Sequence, residues 1–228
     1  MIPMISNEVM KSVLPCIVGE SSKCEEKDIA IGSSKFCGNP DVPENFSWPM
    51  TKDGPCWFIG QLNLNEIGKF NTKVKLPEEG LLSFFYHDEG GPAGSESRVY
   101  LFPMDSLTRA EIVKDIRWGE GFHDKHFYPR NLTFSQGYSL PSVKNLNLSA
   151  EHINEYDELD DIIENFMDTF CNGTHQFLGV PRYLWDKPLY DTMLANFGQL
   201  NDRIRYFFDK KNIEKNDFTN FQVIYDCT

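Results

Sequence analysis

The chain has 228 residues, and its 22 Lys and Arg residues against 34 Asp and Glu residues give a formal net charge of −12. A strongly acidic chain repels the phosphates of nucleic acids and the anionic surfaces of membranes, which argues against both as partners. Hydrophobic residues make up 40% of the sequence and aromatic residues 14%, which excludes wholesale disorder and supplies a sizeable core.

The sequence also indicates where the chain resides. It contains no uninterrupted apolar run of the ~18 residues that a membrane-spanning helix needs, and its start lacks the basic and apolar regions of a signal peptide. No Cys-x-x-Cys pair that would indicate a zinc site occurs among its cysteines, which are Cys16, Cys24, Cys37, Cys56, Cys171 and Cys227. We therefore expect a cytoplasmic protein with reduced cysteines, no cofactor and no tightly bound metal.

The first fifty residues lead into a stiff segment. Residues 7–14 predict a short helix that ends near Pro15, and the polar residues 19–28 predict a loop. Residues 34–49 contain three prolines together with Gly38, Phe36, Phe46 and Trp48. Prolines fix the backbone and large aromatic side chains seek burial, so this segment predicts a rigid structural loop pressed into the core. A loop that grips a ligand is the alternative.

The middle of the chain predicts strands. Residues 56–64 are mostly apolar and follow a turn sequence, so they predict a buried strand. Residues 77–80 predict a turn, residues 81–87 a strand, and residues 98–103 its return strand across a glycine-rich loop at 90–94. That loop lacks the Lys-Ser/Thr of a phosphate-binding loop. Residues 118–140 predict irregular connections with short strands.

Residues 150–170 predict the one clear helix. Ser149 suits its N-cap, Gly173 suits a left-handed C-cap, and an apolar stripe recurs at helical spacing. The segment also holds eight acidic residues and no Lys or Arg, namely Glu151, Glu155, Asp157, Glu158, Asp160, Asp161, Glu164 and Asp168. This acidic face is either simply solvated or binds a partner, and the candidate partner-binding residues are Asp157, Asp160, Asp161 and Glu164.

The last strands complete the expected architecture. Residues 203–208 and 221–225 predict two strands joined through a helical turn at 212–215. We expect an α+β fold, mostly antiparallel β-sheet with a few helices packed on it, in a single domain of residues 1–228. The run Gly-Gln-Leu-Asn occurs at 60–63 and again at 198–201, and residues 82–87 are similar in pattern to 204–209, so a duplicated β architecture is a further expectation.

No motif predicts catalysis. His123 and His126 have the spacing of a metal-binding pair, but the flanking glycines and proline oppose the helix that would align them. Cys171 and His175 lie four residues apart, as a thiol and its base might, without an evident oxyanion site. Polar residues embedded in apolar surroundings remain, namely Gln61, Asn63, His175 and Gln176. They either line a ligand cleft or satisfy backbone groups at strand ends.

Several motifs carry a family resemblance. The run Ser34-Lys35-Phe36-x-Gly38-x-Pro40-x-x-Pro43, followed by Trp48-Pro49, resembles the signature of the YwqG-like family, a bacterial and protist domain of unknown function. Residues 58–64, 76–86, 175–181 and 203–218 are similar to further family motifs in the same order. The resemblance spans 34–228 and leaves 1–33 as a variable N-terminal part. Residues 189–201 depart from the family pattern, because they lack its Leu-Leu-Leu-Gln-Ile-Asp strand and its Trp-Gly-Asp turn.

Two functions follow as expectations. The leading one is a non-enzymatic cytoplasmic protein that binds a basic protein partner. The resemblance implies an immunity-type role, because genes of this family often lie near secreted-toxin systems. The alternative is a small-molecule-binding or hydrolytic protein with a cleft near Gln61, Asn63 and His175.

Overall fold

The computed structural model describes residues 7–87, 96–111, 128–143, 146, 156–181, 188–199 and 202–227. The helices are α1 (Asn7–Lys11), α2 (Leu64–Ile67), α3 (Tyr156–Phe170) and α4 (Lys210–Ile213), with a 3₁₀ turn at Glu26–Asp28. The strands are β1 (Leu14–Lys23), β2 (Lys35–Phe36), β3 (Asp41–Pro43), β4 (Met50–Thr51), β5 (Gly54–Pro55), β6 (Trp57–Asn63), β7 (Leu81–Tyr86), β8 (Arg98–Phe102), β9 (Leu107–Arg109), β10 (Arg130–Ser139), β11 (His175–Phe177), β12 (Thr192–Gln199), β13 (Asp202–Phe208) and β14 (Phe221–Cys227). Within these residues, no helix has the length and apolar character that crossing a membrane requires.

One ten-stranded antiparallel sheet dominates the molecule. Its strand order is β14-β13-β12-β11-β1-β10-β2-β6-β7-β8, and it curls into a half-barrel. The curl brings distant strands together around a buried aromatic cluster, in which the ring centroids of Phe36 and Phe197 lie 5.9 Å apart and those of Phe84 and Tyr206 lie 4.9 Å apart. Two further pairs, β3–β9 and β4–β5, form small separate sheets. The core therefore depends on residues that are far apart in sequence.

The predicted α+β class is wrong. Among the described residues the fold is mostly antiparallel β, with 42% strand, 16% helix and four helices that form no clear layer on the sheet. The predicted loop at 19–28 overlaps strand β1, and the predicted irregular region at 118–140 contains strand β10. These are the two longest strands described, and they pair with each other along all ten residues of each. Many residues of both strands are polar, so their hydrophobic pattern is a weak predictor of a strand. The strands form because their backbones pair with each other.

The strand order is symmetric about the central β1–β10 pair, with β2, β6, β7 and β8 on one side matching β11, β12, β13 and β14 on the other. In both halves a bulge interrupts the long strand, between Phe58 and Gly60 and between Met193 and Ala195. Gly60 therefore corresponds to Ala195. The repeated Gly-Gln-Leu-Asn run, which would match Gly60 to Gly198, has the wrong register.

Equivalent sharp turns follow β2 and β11. Gly38 and Gly179 have φ of 74° and 76°, and the residues before them, Cys37 and Leu178, also have positive φ. The Cys37 N–H donates to Ile59 O at 2.8 Å, and the Leu178 N–H donates to Leu194 O at 3.1 Å. Glycine suits both turns because it lacks the Cβ that opposes this conformation.

Other element predictions vary in outcome. The strands predicted at 56–64, 81–87, 98–103, 203–208 and 221–225 are confirmed as β6, β7, β8, β13 and β14. The predicted left-handed C-cap at Gly173 is wrong, because its φ is not positive, and Pro15 lies inside β1 instead of ending a helix. Of the predicted helix at 150–170, the structure describes α3, whereas the glycine-rich loop at 90–94 and the pair His123 and His126 lie outside the described residues.

Helix α3 packs through its apolar stripe against α1 and the residues that follow β10. Leu159, Ile163 and Met167 form a buried cluster with Val9, Leu140 and Val143. Full burial of each large aliphatic side chain contributes roughly 1.5–3 kcal/mol, so this stripe is sufficient to hold the helix in place. Away from this stripe, Asp161, Asn165, Asp168 and Thr169 are exposed to solvent.

Candidate functional site

A buried charge cluster, which the sequence analysis did not single out, joins β2, β3, β9 and the 3₁₀ turn. We call Glu26, Lys35, Asp41 and Arg109 the ion cluster. Lys35 Nζ lies 3.0 Å from Glu26 Oε1 and 3.3 Å from Asp41 Oδ1. Arg109 Nε lies 2.8 Å from Asp41 Oδ1 and 3.2 Å from Glu26 Oε1. Two cations therefore balance two carboxylates, and the side chains of Lys35 and Asp41 are 0% exposed.

The predicted site residues Gln61 and Asn63 belong to the surroundings of this cluster. Gln61 Nε2 donates to Ser33 O at 2.8 Å and to Asp41 Oδ2 at 2.7 Å, and Gln61 Oε1 accepts from Asp41 N–H at 2.9 Å. Asn63 Oδ1 accepts from the backbone of α2, while its Nδ2 donates to Gly32 O. Both amides thus bond to their own chain, and a ligand-binding role for them stays a prediction.

The charges of the ion cluster stabilise each other's ionised forms. Burial on its own raises the pKa of Asp41, but hydrogen bonds from Arg109 and the positive charge of Lys35 outweigh it, so the pKa of Asp41 lies below its usual value. Burial lowers the pKa of Lys35, although Asp41 and Glu26 oppose that effect. The Arg109 Nη1 group also donates to the backbone carbonyls of Glu26 and Ile29. The cluster therefore acts as a structural cross-link.

His175 and Gln176, the other predicted site residues, lie on β11. Burial, with smaller effects from the charges of Arg203 and Arg130, lowers the pKa of His175 to about 3, so its ring is neutral at physiological pH. Its Nδ1 accepts from Gly198 N–H at 3.2 Å, and the ring lies 4.6 Å from that of Phe36. Gln176 Nε2 donates to the carbonyls of Leu178 and Val180 and braces the turn at Gly179.

The structure separates these four residues into two groups. In the sheet, Gln61 of β6 pairs with Lys35 of β2, whereas His175 of β11 pairs with Gly19 of β1. His175 Nε2 must carry the proton, since Nδ1 accepts a hydrogen bond, and within the described residues this buried atom has no hydrogen-bond partner. His175 therefore packs as a neutral ring in an aromatic environment.

A cleft of about 470 Å³ lies beside helix α2, which follows Asn63 in the chain. Its lining includes the apolar side chains of Ile17, Leu64 and Phe70 and the polar side chains of Asn71 and Lys75. Gln61, Asn63 and His175 do not line it. Among the described residues, no group of three His, Cys, Asp or Glu side chains could hold a metal ion.

Among the described acidic side chains of α3, those of Asp161 and Asp168 point away from the buried stripe. Asp161 is exposed, and Asp160 and Glu164 are half-buried. Neither Asp160 nor Asp161 takes part in an ion pair within the described part of the chain, and α3 contains no basic residue. Asp157 also lies in α3, but its side chain is outside the described set.

An exposed aromatic pair lies at the C-terminal end of α3. Phe170 is 47% exposed and Tyr138 of β10 is 40% exposed, with their ring centroids 6.4 Å apart in an edge-to-face arrangement. Phe166 packs behind Phe170 at 4.8 Å. No sequence pattern indicated this pair, because Tyr138 and Phe170 come from separate elements. We call Asp160, Asp161, Glu164, Tyr138 and Phe170 the α3 surface.

The fold and the ion cluster define a mostly antiparallel β protein whose buried charges serve its architecture. A family model described as a domain of unknown function (DUF1963) matches residues 34–227, and the chain belongs to this family. No curated protein matches the chain. Strand β1 precedes the matched range, yet it occupies the centre of the sheet.

Proposed function

We propose that the chain is a cytoplasmic, non-enzymatic binding protein that recognises a protein partner with a basic surface through the α3 surface. The observation that carries the proposal is the exposed Tyr138–Phe170 pair at the end of a helix whose solvent side is acidic. Exposed aromatic residues are typical anchors of protein interfaces, and neighbouring charges select the partner.

The two parts of the α3 surface have different roles. The carboxylates attract a basic partner over a distance and raise the rate of encounter. Tyr138 and Phe170 then bury apolar area on contact, and their rings also accept stacking from an arginine of the partner. Because the stripe of Leu159, Ile163 and Met167 already holds α3 on the sheet, partner binding needs no movement of the helix.

The family resemblance supports a finer version of this proposal. We infer an immunity-type role, in which the basic partner is a toxin, and we place the chain in the YwqG-like group within its family. The same proposal treats residues 1–228 as a single domain, because one sheet takes strands from both ends of the chain.

Capture from a native lysate with three baits tests the proposal. The baits are the wild-type chain, the variant Asp160→Lys/Asp161→Lys, and a control, Glu44→Lys/Asp53→Lys, which makes the same charge change at exposed positions away from α3. We expect a basic protein to be retained by the wild type and by the control, and lost from the α3 variant. Equal retention of the same proteins on all three baits would contradict the proposal.

The cleft after Asn63 favours a second candidate, a small-molecule-binding protein. Its volume of about 470 Å³ lies within the range of ligand sites, and its lining mixes apolar with polar side chains. Native mass spectrometry of the purified chain tests this candidate. A bound small molecule should be present in the wild type and absent from Asn65→Trp, which fills the cleft from an exposed position. The same bound molecule on both proteins, or on neither, would eliminate the cleft as the site.

A further inference from the structure

Two cysteines that are far apart in sequence lie in contact. Cys16 Sγ and Cys171 Sγ are 3.6 Å apart, although 155 residues separate them in the chain. Cys16 is buried in β1, whereas Cys171 is half-buried just after α3, where its N–H donates to Met167 O at 2.8 Å. Both are reduced, and no disulfide joins them in the structure.

A glycine allows this close approach. Gly137 of β10 pairs with Cys16 in the sheet, and a Cβ at Gly137 would lie 2.7 Å from Phe170 O and 3.1 Å from Cys16 Sγ. Since real Cβ atoms do not approach a carbonyl oxygen that closely, any larger residue would push the end of α3 away from β10. The absence of a side chain at Gly137 therefore keeps Cys171 against Cys16.

We propose that Cys16 and Cys171 form a reversible disulfide by reaction with a low-molecular-weight disulfide such as oxidised glutathione. A disulfide requires a sulfur–sulfur distance of about 2.05 Å, so the thiols must close by roughly 1.6 Å. A rotation about the Cys171 side chain, which lies at a helix end and is partly open to solvent, can supply part of this movement. The bond ties the end of α3 to the central strand, and the inference is independent of the proposed binding function.

The exposure of the two thiols sets the order of the steps. The thiolate of Cys171 attacks one sulfur of oxidised glutathione, which forms a mixed disulfide and releases one glutathione. Cys16 Sγ then attacks Cys171 Sγ, and the proton of the buried Cys16 thiol passes to the departing sulfur, which leaves as the second glutathione. Two protein thiols are oxidised and one glutathione disulfide is reduced to two thiols, so the electrons balance.

The surroundings of Cys16 and Cys24 indicate the order of reaction and provide an internal comparison. The hydrogen bond with Cys171, together with burial, raises the pKa of the Cys16 thiol, which suits Cys16 as the second and not the first thiol to react. Cys24 is also half-buried, but its thiol donates to Pro129 O at 3.7 Å. We therefore expect glutathione to remain attached at Cys24 and to be displaced at Cys171.

Peptide mapping of the full chain without reductant, after incubation with oxidised glutathione, tests the proposal. We expect a cross-linked peptide pair containing Cys16 and Cys171, lighter by two hydrogens than the separate thiols. The melting temperature should rise by about 5 °C or more, because a long loop is closed, and dithiothreitol should reverse the rise. The control variant Cys24→Ser should form the same cross-link as the wild type and show the same reversible rise in melting temperature.

Two variants keep the test decisive. Cys171→Ser changes a half-buried position and should abolish both the cross-link and the rise in melting temperature. Cys16→Ala should leave a stable glutathione adduct on Cys171. A persistent adduct on Cys171 in the wild type, a cross-link to another cysteine, or reaction at Cys24 with none at Cys171 would each overturn the proposal.

Discussion

The carboxylate of Asp41 lies between two cations, 3.3 Å from Lys35 Nζ and 2.8 Å from Arg109 Nε. Asp41→Asn keeps the shape of the side chain but leaves a buried lysine with one carboxylate fewer. We expect the free energy of unfolding at pH 7 to fall by about 3–5 kcal/mol, as when one partner of a buried ion pair is removed. Denaturant titration measures this loss.

A control comes from an exposed ion pair. Asp53 lies 3.8 Å from Lys52, and both side chains are largely exposed. Asp53→Asn should change the free energy of unfolding by less than about 0.5 kcal/mol, because exposed pairs contribute little. Equal effects for the two variants would mean that the ion cluster does not stabilise the fold.

The lowered pKa of Asp41 also predicts how stability depends on pH. The folded pKa is below the unfolded value, so the contribution of Asp41 is complete above the unfolded pKa and is lost as the pH falls through the folded pKa. Below about pH 4, the wild type should therefore lose stability more steeply than Asp41→Asn. Unfolding titrations of both proteins from neutral to acidic pH measure the difference, and parallel curves would contradict it.

Two aromatic residues of the stiff segment at 34–49 should differ in importance. Phe36 is buried against Phe197 and His175, so Phe36→Ala should cost about 3–5 kcal/mol. Trp48 is only half-buried, packs against Phe85 and donates its indole N–H to Cys56 O. Trp48→Ala should therefore cost less, about 2 kcal/mol. Denaturant midpoints give both values, and a larger loss for Trp48→Ala would reverse this ranking.

At the residue scale, the sequence indicated single positions better than their partners. The motif around Lys35 and Phe36 identified a segment that the core depends on. It gave no hint that Lys35 would meet Asp41 and Arg109, because β9 is brought to β3 by sheet pairing across more than sixty residues. Likewise, Gln61 was selected as a polar residue in an apolar strand, and only the structure shows that its amide completes the ion cluster.

At the scale of elements, α3 combines a buried stripe with an acidic face, and substitutions should separate the two. Asp160/Glu164 and Glu164/Asp168 are like-charge pairs at helical spacing, and Asp157/Asp161 has the same spacing in the sequence, so relief of repulsion should favour a basic residue at 161. We expect Asp161→Lys to leave the melting temperature unchanged or to raise it slightly. Ile163→Ala, on the buried stripe, should lower it clearly.

Thermal unfolding of these two variants at low and at high salt provides the check. Salt should reduce any gain from Asp161→Lys, because it screens exposed charges, and it should leave the loss from Ile163→Ala in place. A clear drop in melting temperature for Asp161→Lys would show that this carboxylate is paired within the fold, and the proposed partner surface would lose its basis.

Elements were predictable where a strand is apolar along almost its whole length. Strands β6 and β7 are almost entirely buried, so composition alone identified them. Strand β12 was missed because Asn196 and Gly198 weaken its strand signal, and it forms through pairing with β11 and β13. Strand β1 and the full length of β10 were missed for the same reason, since pairing with a partner strand leaves no trace in a local pattern.

For the whole molecule, the distribution of charge connects the fold with the proposed function. The ion cluster is neutral, so it contributes nothing to the net charge of −12. Much of the excess negative charge lies instead in the segment 151–170, which has no basic residues. The net charge is the basis of the proposed basic partner, which stays a prediction. Composition did not reveal the fold class, because the strands that make the sheet continuous are partly polar.

The association and dissociation rates of the captured basic partner test the binding account most directly. Asp160→Lys/Asp161→Lys should slow association about tenfold at low salt and flatten its salt dependence, because charge acts mainly on encounter. Tyr138→Ala/Phe170→Ala should leave association nearly unchanged and speed dissociation, because the rings act after contact. The control Glu44→Lys/Asp53→Lys should resemble the wild type. Wild-type rates for both α3-surface variants would contradict the account.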